Sequence, residues 1–355
     1  MSVGGSQRER IFGDVRAIIS VELVGEMMSG NDVFSAEEAL FPEAVDAMMS
    51  PLREIVRDIF ASPGKGLRSE LLILCAGGKE AKNSSPKLSS LALGVEVLHL
   101  ATLVHDDLLD QGEQRRGRPS VWKKWGVKTA VLVGDYLFAT AYRLLNNNCG
   151  QKSMERVNYL LREMVAGELA EEMDKFCLIT INRYLERIEK KTARFFQIIC
   201  ELGGEFAALP GEVCAELGAF GREIGIAYQL FDDWQDVARD GKTGGKPVFQ
   251  DLKNGVLTLP LLLISDQPGF NEVLAEVKAE GKVQPKHRRQ IRKWLAAQQT
   301  AEEIARLIEK YRRQAKARLT GLDLPQGPFL LDYTDRFLPR KYSLPQNIDN
   351  RKIKQ

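Results

Sequence analysis

Residues 93–110 read LGVEVLHLATLVHDDLLD, an apolar run that ends in three aspartates, and residues 226–237 read IAYQLFDDWQDV with the same acidic spacing. We call these groups the first aspartate cluster, Asp106, Asp107 and Asp110, and the second aspartate cluster, Asp232, Asp233 and Asp236. On a helix of about 3.6 residues per turn, the first and fifth positions of each cluster lie on one face. Gathered carboxylates repel one another unless cations bind them. If the two helices face each other, their carboxylates predict a magnesium site, because Mg²⁺ prefers a few carboxylates completed by water and substrate phosphate.

The composition is that of an ordinary folded protein of 355 residues, with 44% hydrophobic and 28% charged residues. Its 50 Lys and Arg against 48 Asp and Glu give a net charge of +2, which does not predict a nucleic-acid partner. Five cysteines without a CxxC pair favour reduced thiols in a cytoplasmic protein. Because the first ten residues contain no apolar run, we expect no signal peptide. Residues 88–104 are interrupted by Glu96 and His99, so we expect a buried helix and no transmembrane segment.

Apolar residues recur at three- and four-residue intervals along most of the chain, and strict alternation is scarce, which predicts an all-α protein. The predicted helices cover residues 36–49, 53–60, 154–176, 181–203 and 301–319. Residues 88–110 and 213–237 are apolar all round and should be central helices. No linker separates domains, so we predict a single domain over residues 1–355. We expect residues 1–35 to form an N-terminal extension and first helix region, residues 240–246 a glycine-rich loop, and residues 346–355 a disordered tail.

Basic residues stand close to the acidic clusters along the sequence. They are Lys65, Arg68, Arg115, Arg116, Lys191, Lys246 and Lys253. Arginine suits bidentate phosphate contacts, and lysine supplies a point charge. Carboxylates that hold Mg²⁺, together with several separate basic side chains, could bind more than one diphosphate group. A GxxxxGK[ST] loop and a dinucleotide fingerprint are missing from the sequence, so a nucleoside triphosphate is a poor candidate.

Several motifs in their order and approximate spacing resemble the trans-polyprenyl diphosphate synthase (isoprenyl diphosphate synthase) family. They are residues 96–117, Gly134-Asp135-Tyr136-Leu137, Gly167-Glu168, Lys191-Thr192-Ala193 and residues 228–233. The resemblance covers roughly residues 52–342. It implies an all-α isoprenoid-synthase helical bundle around a deep central pocket, in a homodimer. The implied reaction joins isopentenyl diphosphate head-to-tail to an allylic diphosphate with Mg²⁺.

The resemblance also implies roles for individual residues. Asp106 and Asp110 are expected to bind two Mg²⁺ ions and Asp232 a third, with Asp107, Asp233 and Asp236 supporting the shell and Asp236 counted as a further candidate ligand. Arg115, Lys191 and Lys246 are expected to hold the allylic diphosphate, and Lys65, Arg68, His99 and Arg116 isopentenyl diphosphate. Thr192 and Gln229 are expected to line the reacting centre. Three Mg²⁺ ions per active site are expected. No protein base is expected, because a diphosphate oxygen can take the proton that is released after the condensation.

Three departures from the family pattern stand out. Gly66 and Ser69 replace a basic residue and a proline of the family's loop. Glu171 stands where the family often has glutamine. Val256 stands where members commonly have a lysine that helps to hold the allylic diphosphate. Lys253 is the nearby candidate to replace that lysine; otherwise we expect weaker binding of the allylic substrate.

The resemblance also implies the product length. In the family the position five before the first aspartate commonly acts as a floor for the growing chain, and here it is Ala101, beside Thr102, so we predict a product longer than C20. The small residues below this position, Ser90 and Gly94, are expected to deepen the space for the growing product along the helix. The alternatives are a short-chain (C15 or C20) synthase and a product-length-modulating subunit of a heteromeric synthase. A terpene cyclase or head-to-head synthase would lack the isopentenyl diphosphate set. A non-catalytic subunit tends to lose the aspartates, which are intact in this chain.

Overall fold

The computed structural model describes residues 50–60, 64, 66–78, 81, 85–239 and 248–338. The predictions for residues 1–35, 36–49, 240–246 and 346–355, and for Lys65 and Lys246, lie outside the described residues. Helices make up nearly all of the described secondary structure, which confirms the all-α prediction. The chain divides into two compact units, residues 1–154 and 155–355. The prediction of a single domain stays a prediction.

The first unit contains five described helices and one short hairpin. The helices are α1 Ser50–Phe60, α2 Leu67–Cys75, α3 Pro86–Leu109, α4 Val121–Trp125 and α5 Val127–Asn148. Strand β1, Gln114–Arg115, pairs antiparallel with strand β2, Arg118–Pro119. The first aspartate cluster therefore lies at the end of α3, directly before the hairpin.

Helix α3 is the central element of this unit and packs against α2 and α5. The Ser85 hydroxyl accepts a hydrogen bond from the backbone N–H of Leu88, and Pro86 occupies the first turn, where it costs no helical hydrogen bond. At Gly94 a methyl group would lie 3.1 Å from Leu144 Cβ, so glycine allows α5 to approach closely. Among the described helices α3 is long and apolar enough to cross a membrane, but 56% of its most apolar window is buried in the structure. This burial is that of a core helix, as predicted.

The second unit contains the remaining described helices. They are α6 Gln151–Met173, which begins just before the boundary, α7 Ile181–Ile188, α8 Arg194–Phe206, α9 Gly211–Ala238, α10 Gln250–Lys253, α11 Leu259–Leu262, α12 Phe270–Glu280, α13 Pro285–Ala297, α14 Thr300–Leu319 and α15 Gly327–Phe337. A π-helical turn, Glu189–Ala193, joins α7 to α8. The helix predicted over residues 181–203 is therefore present, but a π turn that the pattern did not predict lies within it.

Helix α9 is the central element of the second unit and packs against α8, α14 and the π turn. Glycines allow these close contacts: a methyl group on Gly221 would lie 2.4 Å from the Phe196 carbonyl oxygen, and one on Gly225 would lie 2.6 Å from Ala193 Cα. The second aspartate cluster lies in the last two turns of α9. Each unit thus places one aspartate cluster at the end of its central helix.

Candidate active site

The first aspartate cluster lies where α3 ends. The backbone N–H of Asp110 donates to the Asp106 carbonyl oxygen at 2.8 Å, so these two residues keep the helical i, i+4 relation. Asp107 is buried and receives both Nε and Nη2 of Arg115, with an Nη2–Oδ1 distance of 2.5 Å. Burial raises the pKa of the Asp107 carboxyl, and the guanidinium opposes this rise. Arg115 therefore compensates the buried carboxylate.

The Arg116-Gly117 pair forms the loop of the hairpin. Both residues have positive φ values, 53° and 77°, as a two-residue hairpin turn requires. The turn folds Arg115 back onto Asp107 of α3. It also carries the Arg116 guanidinium against Gly64, where a methyl group would lie 2.5 Å from Nη2.

Arg68 and His99, predicted to hold isopentenyl diphosphate, contact each other. Arg68 Nη1 lies 3.0 Å from His99 Nε2. Glu96, one turn before His99, accepts the backbone N–H of Ser69 at 2.9 Å and so anchors the first turn of α2 to α3. Burial, followed by the charges of Arg68, Arg116 and Arg115, lowers the pKa of His99 well below its usual value. The structure thus brings together three of the four predicted residues, and the fourth, Lys65, lies outside the described residues.

A chain of hydrogen bonds fixes the second aspartate cluster. The Thr192 hydroxyl donates to Gln229 Oε1 at 2.8 Å, and Gln229 Nε2 donates to Asp233 Oδ1 at 2.7 Å. The Tyr184 hydroxyl donates to the other oxygen of Asp233 at 2.5 Å. Burial raises the pKa of Asp233 to about 7 despite these donors. Three predicted site residues therefore form one connected group.

Sequence reasoning missed Tyr184. Its side chain is fully buried in α7, 49 residues before its partner Asp233. A tyrosine on the apolar face of a predicted helix is most often a core residue, and nothing in the local pattern distinguishes this one. The signal that could have found it is the need of a buried aspartate for a donor.

The last aspartate of the cluster, Asp236, faces the start of α10. Its carboxylate accepts the backbone N–H groups of Gln250 at 3.0 Å and Asp251 at 3.3 Å. Burial raises the pKa of Asp236 to about 6, and burial together with the charge of Asp236 raises the pKa of Asp251. Asp232, in contrast, is exposed. This concentration of acidic groups favours a bound cation.

Within the described part of the chain, no three His, Cys, Asp or Glu side chains gather as a preformed metal site would require. Mg²⁺ does not need such a site, because it usually binds one or two carboxylates and completes its shell with water and substrate phosphates. The carboxylate oxygens of each cluster fit this habit, so each cluster by itself suits magnesium.

Lys191 lies in the π turn between two glutamates of α6. Its Nζ is 2.7 Å from Glu168 Oε2 and 2.6 Å from Glu171 Oε1. Burial lowers the pKa of Lys191, but the charges of the two glutamates outweigh burial and the net shift is upward. Gly167 allows this approach, since a methyl group there would lie 2.9 Å from Lys191 Cγ. The departure at Glu171 therefore adds an ion pair to Lys191.

The segment that contains Val256 is buried, whereas Lys253 is exposed at the end of α10. Gly255 has a φ of 83°, and its carbonyl oxygen accepts the backbone N–H of Phe176 at 2.7 Å. A methyl group on Gly255 would lie 2.4 Å from the Phe176 ring. Close packing thus holds the chain at the position where family members carry a lysine.

The predicted chain-length residues lie in the middle of α3. Ala101 is fully buried, and the Thr102 hydroxyl donates to the His99 carbonyl oxygen at 2.8 Å. Below them the small residues contact α5: Asn148 Nδ2 donates to Ser90 Oγ at 2.9 Å, and Leu144 packs against Gly94. These small residues therefore serve helix packing, and the role of Ala101 stays a prediction.

Comparison with known proteins places these features in a family. The polyprenyl synthetase family model matches residues 49–297. Heptaprenyl diphosphate synthase component 2 of Geobacillus stearothermophilus is 30% identical over 251 residues, which cover 70% of this chain and 78% of the relative. Geranylgeranyl diphosphate synthase of Methanosarcina mazei is 30% identical over 287 residues, which cover 79% and 86%. A crystal structure of polyprenyl synthase from Caulobacter crescentus, complexed with calcium and isoprenyl diphosphate, is similar with a TM-score of 0.76 and 26% identity, covering 91% of this chain and 98% of that one.

The helical fold and the aspartate-rich ends of two core helices define an isoprenoid-synthase chain. The chain belongs to the polyprenyl synthetase family, and it is a prenyltransferase of the trans-polyprenyl diphosphate synthase type. The predicted family and fold are confirmed. The similar proteins include synthases of different product length, so the family alone does not define the product length of this chain.

Proposed function

We propose that this chain catalyses the Mg²⁺-dependent head-to-tail condensation of isopentenyl diphosphate with an allylic diphosphate, giving a trans-polyprenyl diphosphate longer than C20. The observation that carries the proposal is the matched construction of the two aspartate clusters. In each, the second aspartate is buried and receives protein donors, while the first and fifth positions remain on one helix face. Family membership supplies the reaction type.

The proposed metal ligands are Asp106 and Asp110 of the first cluster and Asp232 of the second, with Asp236 as a further candidate. When bound, Mg²⁺ would stabilise the negative charge of the departing diphosphate. The side chains of this protein orient that group. Arg115 and Lys191 supply fixed positive charge for the allylic diphosphate, as electrostatic catalysis requires. Both cations are already held by carboxylates, so their positions are set before substrate binds.

Isopentenyl diphosphate is proposed to bind at Arg68, His99 and Arg116. Two guanidinium groups and a neutral imidazole form a local positive site in the first unit. Thr192 and Gln229 are proposed to line the reacting centre. Their mutual hydrogen bond fixes the Gln229 amide, because Oε1 accepts from Thr192 and Nε2 donates to Asp233.

The test is product formation by the purified protein from labelled isopentenyl diphosphate, an allylic diphosphate and Mg²⁺. We expect Asp106→Asn and Asp232→Asn to abolish most of the activity. Asp332→Asn is the matched control, because Asp332 forms an exposed ion pair with Arg336 on α15. Activity that survives both aspartate substitutions would refute the proposed metal ligands.

The same assay tests product length. Ala101→Phe places a large ring at a fully buried position of α3 and is expected to shorten the product. A wild-type product of C15 alone would refute the proposed length.

A second candidate is a catalytic subunit of a heteromeric synthase, because the relative from Geobacillus stearothermophilus is named component 2 of its enzyme. The purified chain alone would then form little product, and full activity of the isolated chain would exclude this candidate.

We propose a homodimer as the working assembly. Helix α6 exposes Val165, Leu169 and Met173 at four-residue intervals, with Met173 80% exposed. A large exposed apolar stripe commonly marks a protein contact. Sedimentation of the wild type and of Leu169→Glu tests the assembly, and a monomeric wild type would refute it.

A further inference from the structure

The π turn Glu189–Ala193 carries the two predicted site residues Lys191 and Thr192. A π turn widens the helix by one residue and is found mostly as a single turn within an α-helix, often at functional sites. It changes the direction in which its side chains leave the helix. Such a turn needs tertiary contacts that favour it over an ordinary α-helical turn.

An ion pair with α9 holds the first residue of this turn. Arg222 Nη2 lies 2.5 Å from Glu189 Oε2, and Arg194 Nη2 lies 3.5 Å from Glu189 Oε1. Arg222 Nη1 also lies 3.3 Å from Glu223 Oε1. The Glu189 side chain is 24% exposed and that of Arg222 35%, so the pair is partly shielded from water. Glu189 thus receives cations from both α9 and α8.

The far end of the turn is held by packing. Gly225, one helical turn beyond Arg222, lets α9 approach Ala193 so closely that a methyl group would lie 2.6 Å from its Cα. One turn further along α9, Gln229 accepts the Thr192 hydroxyl. Helix α9 therefore contacts the π turn three times, with an ion pair at Glu189, close packing at Ala193 and a hydrogen bond at Thr192.

We propose that Glu189 and Arg222 are positioning residues, whose ion pair fixes the π turn and thereby aims Lys191 and Thr192. This inference rests on the proposed function, in which Lys191 holds the allylic diphosphate and Thr192 lines the reacting centre. Glu189 and Arg222 are not themselves among the residues proposed to bind substrate. Their loss should therefore affect the allylic substrate and leave isopentenyl diphosphate, assigned to the first unit, unaffected.

The kinetic test compares Glu189→Gln, Arg222→Gln and the double variant with the wild type. Each single variant is expected to lower kcat/KM for the allylic diphosphate by about 10- to 100-fold, since a small misplacement of reacting groups can cost that much. The KM for isopentenyl diphosphate should stay unchanged. Because the two residues act as one pair, the double variant should lose no more activity than the more impaired of the two single variants. Arg222→Lys keeps the charge and should recover part of the activity.

Glu216→Gln is the matched control. Glu216 is on the same helix and pairs across to Arg318 at 3.4 Å, away from the π turn. This variant should keep wild-type kinetics. Multiplicative losses in the double variant, or equal increases in the KM of both substrates, would overturn the proposal.

Amide hydrogen exchange of the substrate-free protein gives an independent readout. Arg222→Gln should speed exchange in the peptide that covers residues 188–194, and Glu216→Gln should not. Unchanged exchange in Arg222→Gln would overturn the proposed role of the ion pair. If Arg222→Gln speeds exchange as expected but the wild type makes no product, the proposed function is contradicted while the role of the ion pair is supported. The two failures are therefore distinguishable.

Discussion

His99 makes the stability of the protein depend on pH in a direction that can be derived from its contacts. Burial and the charges of Arg68, Arg116 and Arg115 lower its pKa well below the usual value. The hydrogen bond agrees with this shift: a guanidinium only donates, so His99 Nε2, 3.0 Å from Arg68 Nη1, must accept. The folded protein therefore contains a neutral imidazole.

In the unfolded chain His99 has an ordinary pKa of about 6.5. Between that value and the lower folded pKa, the unfolded chain binds more protons than the folded protein, so the free energy of unfolding falls as the pH falls. The contribution of His99 is complete above about pH 6.5, and its loss approaches about 1.4 kcal/mol for each pH unit within this window.

Urea unfolding of the wild type and His99→Gln from about pH 7.5 to about pH 5 measures this contribution. Glutamine can still accept from Arg68 but does not titrate, so the wild type should lose stability more steeply as the pH falls. Parallel profiles for the wild type and His99→Gln would refute a neutral, buried His99.

Three further predictions follow from the contacts of the site. Tyr184→Phe removes a donor from the buried carboxylate of the second aspartate cluster and should lower the free energy of unfolding by about 1.5–3 kcal/mol in urea titrations; Tyr159→Phe, at a half-exposed ring, should cost less than about 0.5 kcal/mol. Gly134→Ala would place a methyl group 2.0 Å from His105 Nε2 and should destabilise the protein by about 1–3 kcal/mol, whereas Gly211→Ala, with nothing within 4 Å, should be tolerated. Removal of Mg²⁺ with a chelator should abolish product formation, and Mg²⁺ at about 100 times its dissociation constant should add about 2.7 kcal/mol to the free energy of unfolding. A chelated protein that keeps its activity, or a thermal midpoint that Mg²⁺ leaves unchanged, would contradict the last prediction.

The helices could be predicted from the sequence because their cause is local. Apolar spacing places α9 within two residues of the predicted range 213–237, and the acidic ends of α3 and α9 follow from the same pattern. The turn at Arg116-Gly117 was also predictable, since glycine in a short polar segment favours a reversal of the chain. Within each segment, periodicity and turn residues were sufficient.

The π turn and the tyrosine at position 184 could not be predicted, because both depend on contacts between distant segments. Nothing in residues 189–193 distinguishes a π turn from an α-helical one; the close approach of α9 at Gly225 and the charge of Arg222 select it. The ion pair of Lys191 with Glu171 likewise joins two residues that are 20 positions apart in the sequence. Contacts of this kind need the tertiary structure.

The two aspartate clusters meet the same electrostatic difficulty with different donors. A buried carboxylate is costly unless hydrogen bonds compensate it. Asp107 receives a charged guanidinium from the hairpin that follows it, whereas Asp233 receives two neutral donors, a hydroxyl and an amide. Because neutral donors compensate less of the charge, burial still raises the pKa of Asp233 to about 7. The second cluster therefore depends more on a bound cation than the first, and its stability should respond more strongly to magnesium.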